Sequence, residues 1–171
     1  MTRIVADTSA LVSLGVVVGA DPDPLALLLD EHTVLAPERV IEELESVGEY
    51  DDESGVAAEA VLDRRDSLAV ESFTLDDSFP LDDGENAAVS LANEHGADQF
   101  LCDEFNAIAL VHASLADSRL VTTPLVLTAF ARNGRIDAAD AARLLDGIGE
   151  ARSWDGNSYV QRARETLSAE F

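Results

Sequence analysis

Five short apolar runs alternate with longer helical patterns along this chain, and that alternation limits its fold more than any other feature. The runs are "RIVAD" (3–7), "TVLAP" (33–37), "LAVESF" (68–73), "QFLC" (99–102) and "RLVTT" (119–123). Each has the length and character of a strand buried on both faces. The segments between them read as helices. "TSALVSLGVVV" begins on Thr and Ser, and "DPDPLALLLDEH" reads as a loop followed by a short helix. "PERVIEELESVG" has proline in its first turn and Gly48 near its end. "YDDESG" reads as a polar break before the helix "VAAEAVLDRR", and "TLDDSFPLDD" as a loop before "GENAAVSLANEHG", which closes on Gly96. "DEFNAIALVHASL" and "PLVLTAFARNG" follow as helices. Two more, "DAADAARLLDGIG" and "GNSYVQRARETL", are joined by a polar link at 154–157. Strand–helix alternation of this kind predicts an α/β protein with a mostly parallel five-stranded sheet covered on both faces, plus C-terminal helices.

At 171 residues the chain suffices for one domain with a real core, and 47% hydrophobic residues exclude a disordered acidic tail. The longest nearly uncharged N-terminal run, 8–20, is too short for a membrane span of about 20 residues and follows Asp7 rather than a basic segment. A single cysteine, Cys102, excludes an internal disulfide and a Cys-rich zinc site. These features predict a cytoplasmic protein without a membrane partner. The charge is extreme: 34 acids against 11 bases, a formal net charge of −23, and every base is arginine. Acid excess, absent lysine and an ordinary apolar fraction resemble the proteins of salt-in halophilic archaea. In about 1 M salt the Debye length is roughly 3 Å, so such a charge does not by itself exclude a polyanionic partner.

With so many surface acids, the informative ones sit where surface acids should not. In open α/β sheets the active site lies beyond the carboxyl ends of the strands. That rule nominates Asp7 and Asp103, each the first acid after a strand run. At about 100° per residue, Val40, Ile41, Leu44 and Val47 share one helix face. Glu42 points away from that face, and Glu43 lies at its edge, where a boundary Glu with a wet head is the plain alternative. Glu85 shares a stripe with Ala88, Val89 and Ala92. Its plain alternative is a capping box, with Asp82 as N-cap and Glu85 reaching back to the cap amide. Asp7 and Asp103 have the same alternative, simple N-capping. Carboxylates brought together repel unless a proton or a cation separates them. Oxygen-only ligands suit Mg²⁺ or Mn²⁺, and a carboxylate-held Mg²⁺ that docks phosphate oxygens fits phosphodiester hydrolysis. Other chemistries find little support. His32, His95 and His112 are scattered, a Lys-bearing phosphate loop is impossible without lysine, and no Gly-x-Ser-x-Gly elbow occurs.

Four stretches, in order, resemble the PIN-domain family: "IVADTSALVSL", "APERVIEEL", "DDGENAAVSLANEHGADQFLCDE" and "LVTTPLVLTAFARNG". The set looks closest to small prokaryotic PIN proteins, which include toxin ribonucleases of toxin–antitoxin pairs. The resemblance implies a three-layer α/β/α PIN-like fold over residues 1–136, with 137–171 as a helical extension packed on the same domain. It implies Asp7, Glu43, Glu85 and Asp103 as catalytic, metal-holding residues, with Thr8, Ser9 and Glu104 in support, Thr8 or Ser9 by hydrogen bonding to the first carboxylate. One or two Mg²⁺ or Mn²⁺ ions as cofactor, RNA as substrate, an antitoxin protein as partner and a homodimer follow from the same likeness. Relatives often carry an arginine where this chain has Ile108, which removes a phosphate contact. A PIN-fold RNA- or protein-binding regulatory module without turnover is the alternative. A haloacid-dehalogenase-type phosphatase is disfavoured, because Ser9 stands where a second Asp belongs and no lysine exists.

Overall fold

The computed structural model describes residues 1–72, 75–76 and 78–169. Five strands, β1 (Arg3–Ala6), β2 (Thr33–Pro37), β3 (Ala69–Glu71), β4 (Gln99–Leu101) and β5 (Arg119–Val121), form one all-parallel sheet in the order β3-β2-β1-β4-β5. Register pairs Val5 with Leu35 on one side and with Phe100 on the other, so β1 is the central strand. Its Ile4, Val5 and Ala6 are fully buried, as the unbroken apolar run demands. Strand order reverses at β1, because the chain leaves it for β2 and β3 on one side and returns to β4 and β5 on the other. A crevice opens at such a reversal, beyond the strand carboxyl ends.

The helices are α1 (Thr8–Gly15), α2 (Pro24–Glu31), α3 (Glu38–Gly48), α4 (Glu53–Leu62), α5 (Asp83–His95), α6 (Ile108–Ser114), α7 (Thr123–Arg132), α8 (Ala138–Arg152) and α9 (Ser158–Ser168). Helix α5 packs across β1, β2 and β4 with α6 beside it, while α1 is surrounded by α2, α4, α7 and α8. The result is the three-layer α/β/α architecture expected from right-handed crossovers. Among the described residues no helix is long and apolar enough to cross a membrane.

Several boundaries differ from the sequence expectation, each for a local reason. Asp7 caps α1 instead of ending β1, and α1 stops at Gly15, after which 16–19 form turns. Helix α4 starts inside the expected polar break, because the Asp52 carboxylate accepts from the Gly55 amide at 2.8 Å and so makes an N-cap. The helix after β4 begins at Ile108 and not at Asp103, since 105–107 form a turn with Phe105 drawn onto the C-terminal helices. The link at 154–157 is not wholly polar: Trp154 is buried, edge-on to Phe105 at 5.3 Å. Phe73, expected at the end of the third strand, lies outside the described residues, as do Thr74 and Asp77 of the following loop and Glu170 and Phe171 of the tail.

Candidate active site

A cleft of about 420 Å³ opens at the carboxyl ends of the central strands, between the starts of α1, α4 and α5 and the second half of α3. Asp7, Glu43, Glu85 and Glu104 reach it from four different elements.

Asp7 sits at the end of β1 with only 3% of its surface exposed. Its Oδ1 accepts from the Ala10 amide at 2.9 Å and from the Ser9 hydroxyl at 2.7 Å. The plain N-cap role is therefore real, but it uses one oxygen. Among the described residues no N–H or O–H group donates to Oδ2, and the Cys102 thiol lies against the carboxylate. Burial pushes the Asp7 carboxyl up to about 7, only partly offset by these bonds.

Glu43 is half-buried while Glu42 beside it is exposed, as the helical spacing requires. The Thr8 hydroxyl donates to Glu43 Oε2, and Arg39 lies 3.9 Å from its other oxygen. The Glu43 carboxylate rests on the first turn of α5 at Gly84, where a β-carbon would overlap it. Glycine is needed there for close approach rather than for an unusual dihedral angle. Burial raises the Glu43 pKa, opposed by the Thr8 bond and then raised further by Asp82.

At the start of α5, the Asp82 carboxylate accepts from the Glu85 amide at 2.8 Å, which is one half of a capping box. The reciprocal half is weak. The Asp82 amide lowers the Glu85 pKa, but it is the last of the influences on it, behind burial and three neighbouring acids. The Glu85 carboxylate is thus left facing the cleft. Burial first, then the negative charges of Asp82, Asp7 and Glu104, push it up to about 7.

Asp103 is placed differently. It is 5% exposed and does not line the cleft. Its Oδ1 accepts from the Thr123 amide at 2.7 Å and its Oδ2 from the Thr123 hydroxyl at 2.5 Å, which ties β4 to the N-terminus of α7. Burial raises its pKa, and the two Thr123 bonds oppose the rise. Its neighbour Glu104 occupies the cleft wall instead. Of the two hydroxyls expected beside the first carboxylate, Ser9 donates to Asp7 and also accepts from the Asp103 amide at 3.0 Å, while Thr8 serves Glu43.

Among the described residues, no three His, Cys, Asp or Glu side chains stand close enough together to ligate one ion. The chemistry of the donors nevertheless fits a hard cation: the set is oxygen-only, and burial pushes two of its members, Asp7 and Glu85, up to about 7 despite the hydrogen bonds they accept, so a cation would relieve them. Gly84 stands in one of the stretches that carry the family likeness, but its contact with Glu43 is not legible there; Arg152, which lines the cleft from the last position of α8, is not among the expected site residues.

The family model described as a PIN domain, DUF3368, matches residues 3–168. The chain belongs to the PIN-domain family. The match takes in α8 and α9, so the C-terminal helices of this PIN domain fall within the family's own extent. No curated protein matches the chain. Membership brings with it a nuclease-type fold, whose acidic cleft here lies at the switch point of the sheet.

Proposed function

We propose that this PIN domain is a Mg²⁺- or Mn²⁺-dependent endoribonuclease acting in the cytoplasm. The observation that carries the reading is the convergence of Asp7, Glu43, Glu85 and Glu104 on one cleft at the strand carboxyl ends. Asp7, Glu43 and Glu85 would hold the metal through oxygens that the protein leaves largely unspent. Asp103 joins that set only by giving up a Thr123 bond, and Glu104 is the better placed fourth acid. When bound, the metal supplies charge neutralisation for a phosphodiester and an acidified water as nucleophile. The chain's own contribution is positional. Ser9 and Ala10 orient Asp7, Thr8 orients Glu43, and the Asp82 cap holds the first turn of α5 so that Glu85 faces inward.

Through the likeness of its motifs to small prokaryotic PIN proteins, the proposal extends to a toxin held by an antitoxin protein and to a homodimer. Finding a small DNA-binding protein encoded beside it would support the first, and sedimentation of the pure chain tests the second. The acid excess and absent lysine support a halophilic archaeon as the source, so assays belong in molar KCl.

The deciding experiment titrates Mn²⁺ into wild type and Asp7→Asn and follows cleavage of single-stranded RNA. Cleavage should depend on Mn²⁺ and fall by roughly a hundredfold or more in the variant, since even an outer partner of a metal ligand is worth about 10–100-fold. Undiminished cleavage by Asp7→Asn would refute the assignment. One observation favours a second reading, an RNA- or protein-binding PIN module without turnover: among the described residues, no three acids stand close enough to ligate one ion. Mn²⁺-dependent cleavage by wild type eliminates it.

A further inference from the structure

Among the described residues, Arg152 is the one basic side chain lining the acidic cleft. Six of the other arginines are ion-paired on the surface: Arg39, Arg64, Arg65, Arg135, Arg143 and Arg164. Arg152 forms no such pair among the described residues, although Asp7, Glu85 and Glu104 share its cleft. Its Nε is buried and has no hydrogen-bond partner. A buried guanidinium donor left unpaired is costly, and groups of this kind are normally satisfied by something that binds.

Its position is held from behind. Helix α8 ends at Arg152, Ser153 turns the chain in the left-handed region at φ 58°, and Trp154 is buried against Phe105. Phe105 in turn stacks on Tyr159 of α9 at 5.2 Å and directly follows Glu104. The aromatic cluster therefore fixes Arg152 relative to the end of β4. A planar fork of N–H donors on the cleft wall, its charge felt by the buried Asp103 carboxylate but engaged in no ion pair among the described residues, suits a tetrahedral oxyanion.

We propose that Arg152 is the phosphate-binding residue of this cleft, holding a non-bridging oxygen of a bound single-stranded RNA backbone. The identity of the polyanion rests on the nuclease reading; the presence of an anion-seeking arginine does not.

The test measures binding of a short fluorescein-labelled single-stranded RNA by anisotropy, in Mn²⁺, to the turnover-blocked Asp7→Asn protein with Arg152 intact, as Arg152→Lys or as Arg152→Ala. Thermal melts report folding, and calorimetry reports Mn²⁺ binding to wild type and to Arg152→Ala. Arg152→Ala should weaken RNA binding roughly tenfold or more, the value of a charged hydrogen bond. Arg152→Lys should recover part of that loss, because a point charge replaces the fork. Mn²⁺ affinity should not fall. Unchanged RNA affinity in Arg152→Ala overturns the proposal, as does a loss that merely follows unfolding and is not eased by lysine. Weakened RNA binding without cleavage by wild type removes the nuclease reading alone. Cleavage by wild type with unchanged RNA affinity in Arg152→Ala removes this proposal alone. No RNA binding by any form removes both.

Discussion

The ends of β1 and β4 look alike in sequence and differ in what they do with their acids. Both strands run into a buried aspartate, and both aspartates stand at the start of a helix. Asp7 spends one oxygen on the backbone and hydroxyl of its own α1. Asp103 spends both on Thr123, a residue twenty positions on that begins another helix. At β1 the fold leaves a carboxylate oxygen without an N–H or O–H donor among the described residues; at β4 it ties both oxygens into a joint, and Glu104 lines the cleft wall. Strand-then-acid is therefore a signal for a buried carboxylate, and only the partners supplied by tertiary structure decide whether that carboxylate remains available.

The largest effect that sharpens this contrast is on stability against pH in the metal-free protein. Burial lifts Asp7 from 3.8 to about 7, so the folded state holds a proton that the unfolded chain has released. The resulting stabilisation is complete below pH 4 and is lost as pH rises through about 7. For Asp7 it amounts to up to about 4 kcal/mol, and Glu85 adds to it in the same direction. Denaturant melts in EDTA should therefore show stability falling from pH 4 to pH 8. Asp7→Asn should flatten the slope. Saturating Mn²⁺ should reverse it for wild type, because metal binding favours the ionised acids. A flat wild-type profile would mean that the cleft acids are better compensated than their burial implies.

Next in size is a difference of sign between the two strand ends. Asp103→Ala strands two buried donors of Thr123 and should cost roughly 2–4 kcal/mol. Asp7→Asn keeps an oxygen for Ala10 and Ser9 and removes a desolvated charge, so at neutral pH without metal it should stabilise. Equal melting of Asp103→Ala and wild type would show that the Thr123 joint is not structural.

Much of the fold was legible because parallel, doubly covered strands must be short and apolar, and nothing else in the chain has that pattern. All five appear in the sheet, the third with its terminal Phe73 outside the described residues. The inward turn of Glu43 and Glu85 was legible for the same kind of reason, since helical spacing fixes direction. What escaped depends on partners far away in the chain. The helix after β4 starts later than its sequence pattern implies, because Phe105 packs against Trp154 and Tyr159. The Asp103 carboxylate was read without Thr123. Arg152 looks like one more arginine at a helix end until the fold brings α8 to the cleft. Gly84 looks like an ordinary residue of a helix start, and its meaning comes from Glu43, which lies 41 positions earlier.

Gly84 provides the smallest effect on stability and the cleanest separation of fold from site. A methyl group there must displace the Glu43 carboxylate, but that carboxylate is the far end of a flexible side chain and not backbone. Alanine in the first turn of a helix is also intrinsically favourable by about 0.5–1 kcal/mol over glycine. Gly84→Ala should therefore melt within about 1 kcal/mol of wild type, while Mn²⁺ binding weakens roughly tenfold or more as Glu43 leaves the cleft and its Thr8 bond. Calorimetry beside a melting curve separates the two. Unimpaired Mn²⁺ binding would show that Glu43 is a wet boundary residue after all, and the metal would then rest on Asp7, Glu85 and Glu104, the acids of β1, α5 and the β4 loop. A large loss of stability would mean instead that the contact between α3 and α5 at Gly84 holds the fold, with the glycine serving helix packing before it serves the site.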